Sequence, residues 1–177
     1  MMQELPLDQV YPLLEPGPVV LLTTAVKDRP NVMTLSWHSM LELDPPTLAC
    51  VVNENNHSFA ALNDTLECVI AIPALHMAEK AVQIGNTSGR DTDKFSAASL
   101  TARPAWQVGA PIITECFANL ECRVNDTRLV GDYNLFVLEI VEAWTDPQQP
   151  NPQTFHHPGY GRLVLDGEDI SFASNVR

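Results

Sequence analysis

Three polar stretches hold residue types able to bind a small anion or another polar ligand. In "NTSGRDTDKF", residues 86–95, Thr87, Ser88 and the backbone around Gly89 offer a concave set of donors, and Arg90 and Lys94 add charge. Glycine lets a backbone approach a ligand closely, and arginine suits a planar bidentate contact. Asp91 and Asp93 are placed either to orient Arg90 or to cap a helix that begins near Asp93. The same residues also suit a plain solvated turn, because Ser, Gly and Asp favour turns. The second stretch, "TLSWHSMLELDPP", gathers Thr34, Ser36, His38 and Ser39 around a strand end. A strand later, "NENNHS" supplies Asn53, Asn55, Asn56, His57 and Ser58. No carboxylate is tied to either histidine by spacing, so neither a protein nucleophile nor any other catalytic side chain is expected.

Positioning those stretches requires mostly strands. "PVVLLTTAV" is apolar and β-branched enough for a buried strand, "KDRPN" turns the chain, and "VMTLSWH" alternates Val32, Thr34 and Ser36 against Met33, Leu35 and Trp37. Pro45 and Pro46 interrupt the chain before "TLACVV". A short helix over 58–64, a strand "LECVIAI" and a helix "LHMAEKAVQIG" ending at Gly85 lead directly into the 86–95 loop. "CFANLECRV" and "NLFVLEIVEAW" read as long strands joined through a hairpin-like turn at "VGDYN". "ISFA" reads as a last strand, and "DQVYPLLEP" as one or two helical turns ended by Pro16. Strands outnumber helices without regular alternation, which predicts a mainly β fold, an antiparallel barrel with helical insertions, over a doubly wound sheet. Residues 1–177 read as one domain, with 146–161, rich in Pro, Gln, His and Gly, as a long loop or arm.

Composition narrows the partners. A chain of 177 residues can bury a core, and its net charge of −12 argues against nucleic acid, whose binding draws on clustered Lys and Arg. With no secretory leader pattern and no apolar run of about 18 residues, a soluble cytoplasmic protein is expected. Cys50, Cys68, Cys116 and Cys122 lie in apolar strands without CxxC spacing, which predicts buried reduced thiols. No metal site is expected: His156 and His157 are adjacent, so they point oppositely on a strand, and no third ligand is evident. A loop position over the active site suits them better. Trp37 is placed in the core, with packing against a ligand as the other reading, and His38 is either a ligand donor or an ordinary hydrogen-bonded histidine.

"PNVMTLSWHSMLELDPP", the polar loop after it, and "ALHMAEKAVQIGNTSGRDTDKF" together resemble the flavin reductase-like, FMN-binding split-barrel family, flavoredoxin-type members in particular. The resemblance spans about residues 18–144. It implies a six-stranded antiparallel split barrel with added helices, a homodimer, and FMN near the subunit interface. It also implies that Thr34, Ser36, Trp37, His38 and Ser39 line the flavin and its phosphate, with Asn53, Asn56 and Ser58 in a second contacting loop. Ser88, Gly89, Arg90, Asp93, Lys94 and Phe95 fall in the third. Relatives often carry a basic residue near Asn56 and a Thr at Ser58, so this chain is expected to bind phosphate more weakly there, by on the order of 1 kcal/mol.

The resemblance leaves three activities open. The first is an NADH- or NADPH-dependent flavin reductase, in which the cofactor does the chemistry and the protein fixes distance and polarity, with a partner oxygenase as a possible recipient. The second is a flavoredoxin-type carrier fed by another electron-transfer protein, and the third a non-redox ligand-binding barrel. No GxGxxG dinucleotide fingerprint occurs in the chain.

Overall fold

The computed structural model describes residues 2–14, 17–150, 152–168 and 172–173. In chain order the strands are β1 (Gln3–Glu4), β2 (Val20–Val26), β3 (Arg29–Leu35), β4 (His38–Leu43), β5 (Pro46–Val51), β6 (Glu67–Ile72), β7 (Ala102–Arg103), β8 (Ile112–Ile113), β9 (Ala118–Asp126), β10 (Leu135–Thr145), β11 (Phe155–Gly159) and β12 (Arg162–Leu165). The α-helices are α1 (Tyr11–Leu14), α2 (His57–Thr65), α3 (Ala78–Gly85), α4 (Lys94–Ala97) and α5 (Val130–Tyr133). Short 3-10 turns precede α1 and α3.

The main sheet is antiparallel and runs β3-β2-β6-β9-β10-β5-β4, with β1 added to β10. Its two end strands, β3 and β4, follow one another in the chain with only Ser36 and Trp37 between them. That short link curls the sheet until its ends meet, which makes the split barrel, carrying one strand more on this path than the six that the resemblance implied. The β2–β3 hairpin closes on Lys27 and Asp28, both at positive φ (49° and 61°), the type I′ geometry that matches strand twist.

Alternation sorts side chains into two layers. Val20, Leu22, Cys68, Ile70, Ile72, Leu120, Cys122, Leu138 and Ile140 fill the barrel. Leu21, Val32 and Ala71 face outward under α3, α4 and the β11–β12 hairpin, where Met77, Ala81, Ile84, Phe95 and Phe155 cover them. Strands covered on both faces explain the unbroken apolar runs 20–22 in β2 and 68–72 in β6.

Glu121 is fully buried on the outer face of β9, beneath the loop between β7 and β8. Its carboxylate accepts from the Trp106 amide (3.0 and 3.1 Å), the Gln107 amide (2.6 Å) and Trp144 Nε1 (2.8 Å). Asn119, two residues earlier, clamps β8 by accepting from the Ile113 amide at 2.8 Å and donating to the Ile113 carbonyl at 3.0 Å. These polar groups pin a loop with little regular structure to the barrel wall.

Several elements differ from the sequence reading. "VGDYN" is not a bare turn: α5 forms there and ends on Asn134 at φ 56°. Of residues 146–161, Phe155–Gly159 is strand, paired with β12 in a hairpin whose Phe155 carbonyl accepts from the Val19 amide at 2.8 Å. Pro16, Ile170 and Ser171 lie outside the described residues, and Phe172 and Ala173 are not in a strand.

All four thiols are buried, with Cys68 opposite Cys122 across β6 and β9. The hydrogen bond that the Cys68 thiol donates to Cys122, together with burial, holds Cys68 well above its ordinary pKa, and burial does the same to Cys50 and Cys116. In the unfolded chain these thiols ionise near 9 while the folded chain keeps their protons, so stability falls as pH rises above about 9. Native protein should therefore leave Ellman's reagent unreacted at neutral pH and lose urea resistance between pH 8 and 10. Rapid labelling of the native thiols is the contrary result. Glu121→Ala strands three donors and should lower unfolding free energy by about 3 kcal/mol in urea titration, whereas an unchanged midpoint would deny the clamp its role.

Candidate ligand site

Residues 86–95 form a compact turn between α3 and α4, packed against β3 and the start of α2. The Ser88 carbonyl accepts from the Asp91 and Thr92 amides (3.2 and 3.0 Å), and the Arg90 amide donates to Ser88 Oγ at 3.2 Å. Asp93 is the N-cap of α4: its carboxylate accepts from the Ser96 hydroxyl (2.6 Å) and amide (3.2 Å), and those bonds hold its pKa below the usual carboxylate range. Asp93 therefore caps a helix and does not orient Arg90. The Arg90 guanidinium instead donates to the Asn55 carbonyl at 3.0 Å, carrying a positive charge to the middle loop that holds Asn56.

Gly89 makes the closest approach. A Cβ on it would lie 2.1 Å from Asn31 Oδ1 and 2.6 Å from His57 Cδ2, so only glycine fits there. Asn31, on β3, in turn donates to Ser58 Oγ at 2.8 Å, and Ser58 is buried at the start of α2. Lys94, also buried, donates from Nζ to the Ile84 carbonyl near the end of α3 at 2.9 Å, and burial lowers its pKa. An ammonium with three donors keeps others for a ligand.

A cavity of about 190 Å³ opens between these groups. Of the residues expected from sequence, Thr34, Asn56, Ser58, Ser88, Gly89, Arg90 and Lys94 line it, while Asp93 and Phe95 line an adjoining groove. Thr34 Oγ1 donates to the Ala81 carbonyl at 2.6 Å, which ties β3 to α3. The remaining expected residues lie elsewhere. Ser36 and Trp37 form the link between β3 and β4, and Trp37 is 71% exposed, so the expectation of a core tryptophan is overturned. The link has no second layer to bury it. His38 begins β4 with Nε2 at 2.7 Å from the Pro18 carbonyl, and burial lowers its pKa against that raising contact. Ser39 is exposed and donates to the Met40 carbonyl, and Asn53 accepts from the backbone and side chain of Asn55 in a local turn. His156 meets Asp166 at 2.5 Å rather than standing free in a loop.

Sequence reasoning missed Asn31, the residue that seats Gly89. Asparagine is depleted in strands, so an asparagine within β3, beside a proline, was the available signal.

The chain matches the flavin reductase like domain over residues 14–163. It belongs to that family. An uncharacterised protein of Archaeoglobus fulgidus is 33% identical over 137 residues, covering 77% of this chain and 75% of its own. The FMN reductase (NADH) RutF of Bradyrhizobium diazoefficiens is 28% identical over 102 residues, 55% of this chain and 52% of its own. The reductase component of a 4-nitrophenol 4-monooxygenase/4-nitrocatechol 2-monooxygenase from Rhodococcus opacus is 28% identical over 147 residues, 82% and 74% of the two chains. Among solved structures, an FMN-binding domain of a flavin reductases-like enzyme from Shewanella baltica superposes with a TM-score of 0.91, at 22% identity and 98% coverage of both chains. The flavoredoxin of Desulfovibrio vulgaris gives 0.80 at 23% identity, over 90% of this chain and 91% of its own. These structures share the split-barrel fold.

Gly89→Ala should displace Asn31 from Ser58 and lower unfolding free energy by about 1–3 kcal/mol. Gly131→Ala in α5, where nothing lies within 4 Å, should be neutral or stabilising when both variants are unfolded in urea. Equal effects of the two substitutions would mean that Gly89 has no special role.

Proposed function

We propose that the protein binds FMN, with its phosphate at residues 88–90, and works as an NADH- or NADPH-dependent flavin reductase. The observation that carries this reading is the Gly89 cradle: a turn in which only glycine fits against Asn31 and His57, flanked by Ser88, Arg90 and Lys94, in a chain of −12 net charge. Local positive charge against a repulsive whole suits a dianion.

Each contributing residue has a separable task. Ser88 and Arg90 donate to the phosphate, Lys94 supplies a second cation from below, and Thr34, already fixed to α3, sets the floor along β3. Ser36, Trp37, His38 and Ser39 lead away from the cradle along the β3–β4 link, on the side assigned here to the flavin ring. FMN, when bound, accepts hydride from a nicotinamide and passes the electrons on. The chain's residues need only hold position, exclude water and keep donors at the phosphate, so no side-chain acid or base is required.

RutF and the nitrophenol monooxygenase reductase component, which align with this chain, favour the reductase over a passive barrel, and the latter favours an oxygenase as the recipient of electrons. Trp37, Leu41 and Leu43 are exposed on the β4 side of the split, an apolar strip that suits a second copy and hence a homodimer.

The test is to mix the protein with FMN, gel-filter it, record the visible spectrum, and then follow NADH and NADPH oxidation with FMN added. Flavin bands that travel with the protein, nicotinamide consumption, and an affinity about tenfold weaker in Arg90→Ala are expected. A colourless protein that consumes neither nicotinamide overturns the reading, and one that holds FMN but accepts electrons only from a protein donor would be the flavoredoxin-type carrier.

A further inference from the structure

His57 opens α2 and lines the small cavity against Gly89, where a Cβ on that glycine would come within 2.6 Å of the imidazole Cδ2. Among the described residues neither of its ring nitrogens has a hydrogen-bond partner. His38 and His156, by contrast, are committed to the Pro18 carbonyl and to Asp166. The helix start around His57 is unfinished too. Asn56 is the N-cap of α2, but its side chain makes no capping bond, so this nine-residue helix keeps the positive end of its dipole for a ligand in the same cavity.

Whether the ring carries a proton is decided by the charges that face it. Across the cavity stand Arg90 and Lys94, and both oppose a third positive charge in the ligand-free protein. His57 also lines the groove that continues past the cradle, and there five carboxylates, Asp28, Glu54, Asp64, Asp91 and Asp93, stand against Lys27, Arg29 and Arg90. That acidic excess repels an approaching dianion and favours a proton on the imidazole. A phosphate dianion between His57 and the 88–90 turn tips the balance to the imidazolium, and histidine is the side chain whose charge ordinarily changes between about pH 5 and pH 8.

We infer that His57 holds the flavin phosphate as an imidazolium, taking up a proton from solvent as FMN binds and returning it on release, so that the chain grips FMN near neutral pH and loosens it in alkali. The inference rests on the FMN reading and adds a residue and a proton to it. His57 supplies on the α2 side the cation that Arg90 and Lys94 supply on the other. No covalent bond of the flavin or its phosphate changes in this step.

Fluorescence titration would measure FMN and riboflavin binding at about pH 7 and about pH 8.5 to the wild-type protein, to His57→Gln and to His57→Lys. A phosphate monoester titrates near pH 6, so FMN itself stays mainly dianionic over that range. Calorimetry at about pH 7.5, in buffers of different ionisation enthalpy, would count the protons taken up. The wild type is expected to bind FMN about fivefold more weakly at the higher pH and to take up more than about half a proton, while riboflavin, which lacks the phosphate, shows neither effect. His57→Gln should bind FMN weakly at both pH values without proton uptake, and His57→Lys tightly at both. A pH dependence that persists in His57→Gln assigns the proton to another group, Lys94 above all, whose pKa burial lowers, and overturns the inference. An affinity indifferent to pH in the wild type overturns it as well, and so does equal loss of FMN binding in both variants, which would mean that the shape of the ring matters and not its charge. Each of these outcomes leaves the FMN reading intact. Wild-type protein that binds FMN at neither pH overturns the FMN reading, and this inference with it.

Discussion

Ser36 and Trp37 join the first and last strands of a seven-strand path, and two residues span only about 7 Å. A sheet that wide, left open, would hold its outer strands several times farther apart, at nearly 5 Å per strand. The link therefore forces the curl. Curling encloses the apolar row of Val20, Ile70, Leu120 and Leu138, and it turns the outward row of Leu21, Val32 and Ala71 toward α3 and α4. Once α3 is fixed on that outer face by Ile84 and by the Thr34 hydroxyl, the turn that follows it has little freedom of place.

The cradle follows from that placement. Backbone at Gly89 lies against Asn31 and His57, one from a strand and one from a helix start, so three separate segments meet at one residue without a side chain. Arg90 then bridges to Asn55, and Lys94 to Ile84, each cation anchored on a main-chain carbonyl rather than a carboxylate. Charge held in this way is not cancelled locally, which matters in a chain whose carboxylates outnumber its cations about two to one.

Much of this was legible because it obeys short-range rules. Alternation marked the strands from Val20 to Ala143, Asp93 announced its cap, and the Ser-Gly-Arg run marked the turn between α3 and α4 that is proposed to hold the phosphate. Long-range features left weaker traces. Trp37 has the composition of a core residue and sits in a link with nothing above it, and Glu121 looks like a solvent-facing strand residue until the loop from Pro104 to Pro111 folds over it. His156 reads as a loop residue in the sequence because its strand partner, Val164, comes after a Gly-rich turn and has no strong pattern of its own. The role of Asn31 depended on a contact 58 positions along the chain, with Gly89, which no local window contains.

Trp106 and Trp144 stack with ring centroids 3.9 Å apart and planes inclined by 26°, one carried by the β7–β8 loop and the other by β10. Two indoles at that separation couple their electronic transitions, which gives the folded chain a paired circular-dichroism band that separated indoles lack. The third tryptophan, Trp37, stands on the β3–β4 link and takes no part in the stack. The chain thus carries two optical reporters that can be read independently: the coupled band follows docking of the loop over Glu121, and emission from Trp37 follows events along the link.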